Sequence, residues 1–196
     1  MMNTRPLLLL PLAIGLPLIA AAAAPATTAA IANVQRDLAP LVDKVHHNNL
    51  QFWDVSVAMA QGWVAATPCV SGPSEGAMGV HFLKPPKSKY DPDPIADGVL
   101  DGANPEALIY EPVGNGWLRL VGVEFIQLAD DWNTRHPGTV PTVEGHLMNY
   151  VPEPNRYGLH AFYELHVWAF EENPKGSFAD WNTRVKCDRQ PTPPPN

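Results

Sequence analysis

The chain has 196 residues, with 13 Lys and Arg against 20 Asp and Glu, and a formal net charge of −7. That acidity, without any Lys/Arg cluster, argues against nucleic acid or an anionic membrane surface as a partner. The length suits one domain with a real core.

The N-terminus carries an address. Arg5 provides a short positive region, Leu7 to Ala20 is apolar but broken by Pro11 and Pro17, and Ala24-Pro25-Ala26 supplies the small residues of a signal-peptidase site. Residues 1–26 therefore read as a signal peptide, with cleavage expected before Thr27. Cleavage removes one arginine and no acids, taking the charge from −7 to −8. No cysteine follows the apolar run, as a lipoprotein would require, and no later stretch is apolar enough to span a bilayer. The expectation is a periplasmic or secreted protein, soluble and off the membrane once the signal is removed. The two cysteines, Cys69 and Cys187, then default to a disulfide. A pair of thiol metal ligands is the alternative, but the short Cys-x-x-Cys spacing is missing.

From Thr27 to His47 the residues Ile31, Val34, Leu38, Leu41, Val42 and Val45 keep helical spacing, with Pro40 expected to kink or split the helix. A second helix is expected over Leu50–Gln61, stopped by Gly62, with small residues suited to close packing on a sheet. Turn chemistry at Ser71–Gly76 precedes a candidate strand at Met78–Leu83. Lys84–Asn104 reads as a long loop. Strands are expected at Glu106–Glu111 and Trp117–Leu128, joined by the hairpin signal Gly114-Asn115-Gly116. Asp130–Val143 reads as a loop, His146–Val151 as a short strand and His160–Phe170 as a strong one. The domain spans 27–189, and residues 190–196, with four prolines, form a disordered tail. The pentapeptide Asp-Trp-Asn-Thr-Arg occurs at 131–135 and again at 180–184. It reads as a recurring strand-exit turn capped by Trp132 and Trp181, with an ancient duplication as the alternative.

The segment His160–Phe170 is the most informative. With a period of two, Ala161, Tyr163, Leu165, Val167 and Ala169 form an apolar face. His160, Phe162, Glu164, His166 and Trp168 form the other, where metal-binding groups alternate with aromatic rings instead of the Lys, Thr and Ser of a solvent face. Glu124 is flanked on its own face by Leu120, Gly122 and Ile126, so its carboxylate must be paired, protonated or metal-bound. Arg119 falls on the opposite face and is not its partner. His81 lies on another apolar strand.

If these strands pair antiparallel, His81, Glu124, Glu164 and His166 converge on one cavity. Two imidazoles and a carboxylate suit zinc, iron, copper or manganese and leave open positions for water or substrate. His81, Glu124 and His166 are the candidate ligands, and Glu164 the candidate general base or supporting partner. His146 and His160 are weaker candidates, and His46-His47 read as exposed residues near a helix end. The chain lacks a phosphate-binding glycine loop, His-Glu-x-x-His and Cys-x-x-Cys-His, and Ser74, although it stands within Gly72-Pro73-Ser74-Glu75-Gly76, lies in turn chemistry with no recognisable setting for a nucleophile.

Several segments together carry a resemblance: Ala60–Trp63 leading to Cys69-Val70, Met78–Phe82, Pro105–Pro112, Leu120–Phe125, Phe162–Trp168 and Phe178–Asn182. On these the chain resembles a group of exported bacterial proteins over roughly residues 50–187. The resemblance implies one exported domain and no particular activity. The His and Glu on successive strands also look like a cupin-type barrel, although the His-x-His and spaced Glu of that motif are not met.

The sequence thus leads to an α+β domain: N-terminal helices packed on a mainly antiparallel, curved sheet or partly closed barrel, stapled by Cys69–Cys187. The expected function is binding of a metal ion or small ligand in a His/Glu-lined pocket. The rival is a non-catalytic envelope or protein-interaction domain whose His/Glu network is structural.

Overall fold

The computed structural model describes residues 40–86 and 88–190. The expected signal peptide, the first part of the expected N-terminal helix and the tail beyond Gln190 lie outside the described residues. Helix α1 occupies 40–49, burying Leu41 and Val45 one turn apart while Asp43, Lys44, His46 and His47 stay exposed. The single helix expected over Leu50–Gln61 is instead broken. A 3₁₀ turn covers Leu50–Trp53, and α2 runs over Val55–Ala60. Asp54 makes the break: its extended backbone lets its carboxylate accept from the Ser56 N–H at 2.9 Å, an N-cap that starts a new helix. Gly62, at φ +94°, turns the chain out of the helix.

The strands are β1 (Val64–Ala65), β2 (Val70–Gly72), β3 (Gly76–Leu83), β4 (Ala107–Gly114) and β5 (Trp117–Leu128). Helix α3 (Ala129–Arg135) follows, then β6 (Thr142–Val143), β7 (His146–Leu147), β8 (Asn149–Val151) and β9 (Phe162–Val167). The main sheet has the order β1-β3-β4-β5-β9-β8, with β2 added to β3, and its pairings are antiparallel. It ends at β1 on one side and β8 on the other, two short strands that do not meet. The sheet is therefore open and not a barrel. The β4–β5 turn places Asn115 and Gly116 at φ 54° and 77°, the left-handed pair a two-residue hairpin requires. No helix among the described residues is long and apolar enough to cross a membrane.

Register decides which side chains share a face. Val80 and Phe82, Val123 and Phe125, and Leu165 and Val167 join the core that includes Leu41, Val45, Phe52 and Ala58. The Tyr110 hydroxyl, donating to the Phe52 carbonyl at 2.7 Å, ties that side together. Alternation then sends His81, Glu124, Glu164 and His166 to the other side. One neighbour departs from strict alternation. Ile109 pairs with Gly122 but Tyr110 with Leu120, leaving Val121 as a bulge. Leu120 thereby joins the helix-side core, so of the three expected neighbours of Glu124 only Gly122 and Ile126 remain on its side.

Three further expectations change. The loop expected from Asp130 opens as helix α3, whose first turn holds Asp130 and Asp131 and whose last turn holds Arg135, the charge order a helix dipole favours. The second pentapeptide is not helical: Asn182 exchanges two backbone hydrogen bonds with Ala77, at 3.0 and 3.1 Å. The repeated words thus serve different structures, because one follows directly from β5 and the other is stitched to β3. His146–Val151 divides into β7 and β8 around buried Met148.

Residues 168–190 run back across the sheet. The Trp168 N–H donates to the Ser177 carbonyl, its indole N–H to Ala179, and the Lys186 N–H to Glu111. Cys69 and Cys187 are joined, closing a loop of 118 residues. In the chain-entropy account such a loop contributes on the order of 4 kcal/mol. Replacing both cysteines by serine is expected to lower the free energy of unfolding by about 2–5 kcal/mol. Denaturant titration measures this, and an unchanged midpoint would mean that the crosslink contributes nothing.

Candidate functional site

The polar side of the sheet is assembled by pairing. Glu124 stands directly opposite His166, Ile126 opposite Glu164, and His81 lies diagonally across β4 from Glu124. Because β4 contributes only Ala107 and Ile109 between them, His81 Nε2 reaches Glu124 Oε2 at 3.3 Å. The rings of His81 and His166 meet edge to face with centroids 5.8 Å apart. His81, Glu124 and His166 each present a ligand atom, all within 4.8 Å of one another, and all three are buried. A second set with the same spacing is Glu164, His166 and Asp180. These buried groups could hold a metal ion.

The surroundings orient one imidazole and leave the other unsatisfied. Thr67 Oγ1 lies 3.2 Å from His81 Nδ1 and also accepts from the His81 backbone N–H at 3.1 Å. With Nδ1 protonated toward Thr67, the Nε2 lone pair faces Glu124 and the centre. Both ring nitrogens of His166, and Glu164 Oε2, are buried without a protein hydrogen-bond partner. Tyr157 sits edge-on to His81, and its hydroxyl is 3.1 Å from the Met78 sulfur.

Charge is poorly served here. Among the described residues, no Lys or Arg forms an ion pair with Glu124 or Glu164; the cations of Arg119 and Arg184 go to Glu111, Glu171 and Glu172. Burial first, and then the neighbouring Glu164 carboxyl, pushes Glu124 well above the usual carboxylate range. Burial raises Glu164 to about 7, although its hydrogen bond to Glu124 pulls the other way. Burial and the nearness of the two carboxyls together disfavour having both ionised at once. Burial also raises Asp180. Both imidazoles are held neutral: burial lowers His81 to about 4, and burial together with His81 lowers His166 well below its ordinary value. Neutral imidazole and carboxylate are the forms that ligate a metal.

A cavity of about 100 Å³ opens on His81 and Glu124 and is walled by Thr67, Tyr157, Leu159 and Phe162. A larger cleft, about 430 Å³, lies elsewhere, between Asn48, Trp63, Asp97 and Glu106, and touches neither His81 nor Glu124. Size and chemistry point to different places, and the chemistry belongs to the smaller cavity.

The structure brings together the four residues singled out from sequence on β3, β5 and β9. His160 is not among them: it is exposed and pairs with Glu153 at 3.1 Å. His146 stacks on Phe178 instead. Thr67 and Asp180 were not legible as site residues. Thr67 lies outside any strand, and Asp180 sat in a repeat that read as a turn. No protein-family model, curated protein or solved structure matches this chain.

The buried acids and bases give metal-free stability a definite pH dependence. Glu164 and Glu106 release their protons at about 7 and about 8 in the fold, against 4.5 ordinarily. Their contribution is complete below 4.5 and is lost as the pH rises through those values. His81 runs oppositely, at about 4 against 6.5: its contribution is complete above 6.5 and is lost as the pH falls through about 4. The slopes oppose each other from 4.5 to 6.5, and above 6.5 only the carboxyls act. In chelator, stability is expected to fall between pH 6.5 and about 8.5, with Glu164→Gln flattening the part near neutrality. Equal unfolding midpoints at those two pH values would show that the carboxyls are not buried in neutral form.

Proposed function

We propose that this chain is an exported protein with a transition-metal centre on the second face of its sheet. His81, Glu124 and His166 are the ligands, and Glu164 is the adjacent proton acceptor. The observation that carries the reading is His166, completely buried with two ring nitrogens that have no partner among the described residues, and set against a carboxylate that no described lysine or arginine neutralises. Burying an unpaired carboxylate costs several kcal/mol, so a proton or a cation must accompany Glu124. A divalent ion supplies the charge and the missing partner together. The mixed imidazole and carboxylate set suits zinc, iron or copper.

Two imidazoles and one carboxylate leave coordination positions for water or a substrate. The cavity beside His81 and Glu124 restricts any organic ligand to a small, largely apolar group, since about 100 Å³ is less than a benzene-sized cavity provides. Glu164, poised near neutrality, can take a proton from a bound water. Export rests on the N-terminal pattern; the Cys69–Cys187 disulfide is compatible with it.

Elemental analysis of chain purified without tag or chelator is expected to find zinc, iron or copper at about one equivalent or more. His81→Ala and His166→Ala should each lower metal content while the metal-free domain stays folded. Absence of bound metal, together with no thermal shift on adding any of these ions, would sink the proposal in favour of a structural network. Thr67→Ala should weaken binding roughly 10–100-fold, as loss of an orienting outer partner does. Unchanged affinity in that variant would remove Thr67 from the site.

A further inference from the structure

One ion on His81, Glu124 and His166 leaves much of this face unserved. Three carboxyls, Glu124, Glu164 and Asp180, surround the two imidazoles. A ring nitrogen has one in-plane lone pair and binds one ion, so an ion using one nitrogen of His166 leaves the other buried and unpartnered. Glu164 Oε2 is left in the same state. Glu164 and His166 recur in the second set, with Asp180, and the ligand atoms of that set again lie within 4.8 Å of one another. Asp180 is held in place for it: Asn149, paired with Glu164 across β8 and β9, donates to its Oδ1 at 3.0 Å. Charge agrees, since one divalent ion cannot neutralise three carboxylates and two can.

We infer that the face is a two-cation centre, in which a second divalent transition-metal ion sits on Glu164, His166 and Asp180, and the His166 ring bridges the two ions through its two nitrogens. This rests on the metal reading above and extends it. A bridging ring must give up its remaining N–H proton to solvent, and the two cations hold the resulting imidazolate anion. Glu164 becomes a ligand when the second ion is bound and is a proton acceptor only in the singly loaded form.

The test is a zinc titration of the full chain, stripped of metal by chelator, with bound metal counted by elemental analysis. The expected result is about two equivalents for the unaltered chain and about one for Asp180→Asn, which keeps the acceptor for Asn149. Glu164→Gln asks the same question should Asp180→Asn fail to fold. Loaded with copper(II) instead, the unaltered chain should lose most of its paramagnetic resonance signal through coupling across the ring, whereas Asp180→Asn should keep it. A single zinc in the unaltered chain overturns the second ion and leaves the first site standing. Two zinc ions retained by both variants, or an unquenched copper signal, overturn the bridged arrangement. No zinc at all removes both readings.

Discussion

The C-terminal segment lies across the second face of the sheet, and the chemistry of the molecule depends on that cover. Helices α1 and α2 protect one side, as in any two-layer domain. The other side is closed by residues 168–190, fastened through the Ala77–Asn182 backbone pair, the Trp168 indole and the Cys69–Cys187 bridge. Trp168 stacks beside His166 and Asp180 approaches Glu164, while Tyr157 meets His81 from the preceding loop. The strand face built of acids and imidazoles is thereby largely buried. Burial is the leading cause of the shift at Glu124, Glu164, His81 and His166 alike. An uncovered sheet with the same sequence would leave those groups solvated and ordinary.

The fold treats its other acids differently, which gives the polar face its meaning. Where an ion pair is wanted, one is made: Arg119 forks between Glu111 and Glu171 at the far end of β5. Where a lone buried carboxyl is tolerated, it is held neutral, as Glu106 is, with one oxygen accepting from the Ile126 N–H. Glu124 and Glu164 follow neither solution. They lie together, beside two buried imidazoles, and burial raises both carboxyls above their usual range. Such a set could hold a cation, which would use nitrogen lone pairs that protons occupy poorly at neutral pH.

How far this was legible in the sequence depends on the range of the deciding interaction. β5 runs from Trp117 to Leu128 as its pattern indicates, and the Gly114-Asn115-Gly116 turn forms as its residues require, because both are local. The two-sided character of β9 was readable from alternation alone, since Leu165 and Val167 face the helices and Glu164 and His166 face away. The bulge at Val121 was hidden: Leu120, Val121, Gly122 and Val123 are all apolar or small, and nothing in them marks a slipped register. The break at Asp54 turned on a single capping bond within an otherwise helical run. Asp180 was missed for a deeper reason. Its pentapeptide is identical to that at Asp131, and only contacts with distant Ala77 and Asn149 distinguish the two copies.

The contrast between His166 and the other buried polar side chains bears most directly on whether the cluster is structural or functional. Gln127, also fully buried, accepts from the Gly98 N–H and donates to the Pro94 carbonyl. Asn182 accepts from the Arg184 N–H and donates to the Glu172 carbonyl, and Asn49 donates to Val45. Structural amides in this molecule are thus satisfied, at positions where a loop or helix supplies the partner. His166 is as deeply buried as any of them and has no partner on either nitrogen. Each orphaned polar atom of this kind costs about 1–3 kcal/mol, and a phenyl or leucyl side chain would fill similar space without that cost. A residue retained for packing would not need two nitrogens directed among three acids. These buried groups could hold a metal ion, which would bring positive charge and affinity for nitrogen into the space between them and so offset that cost.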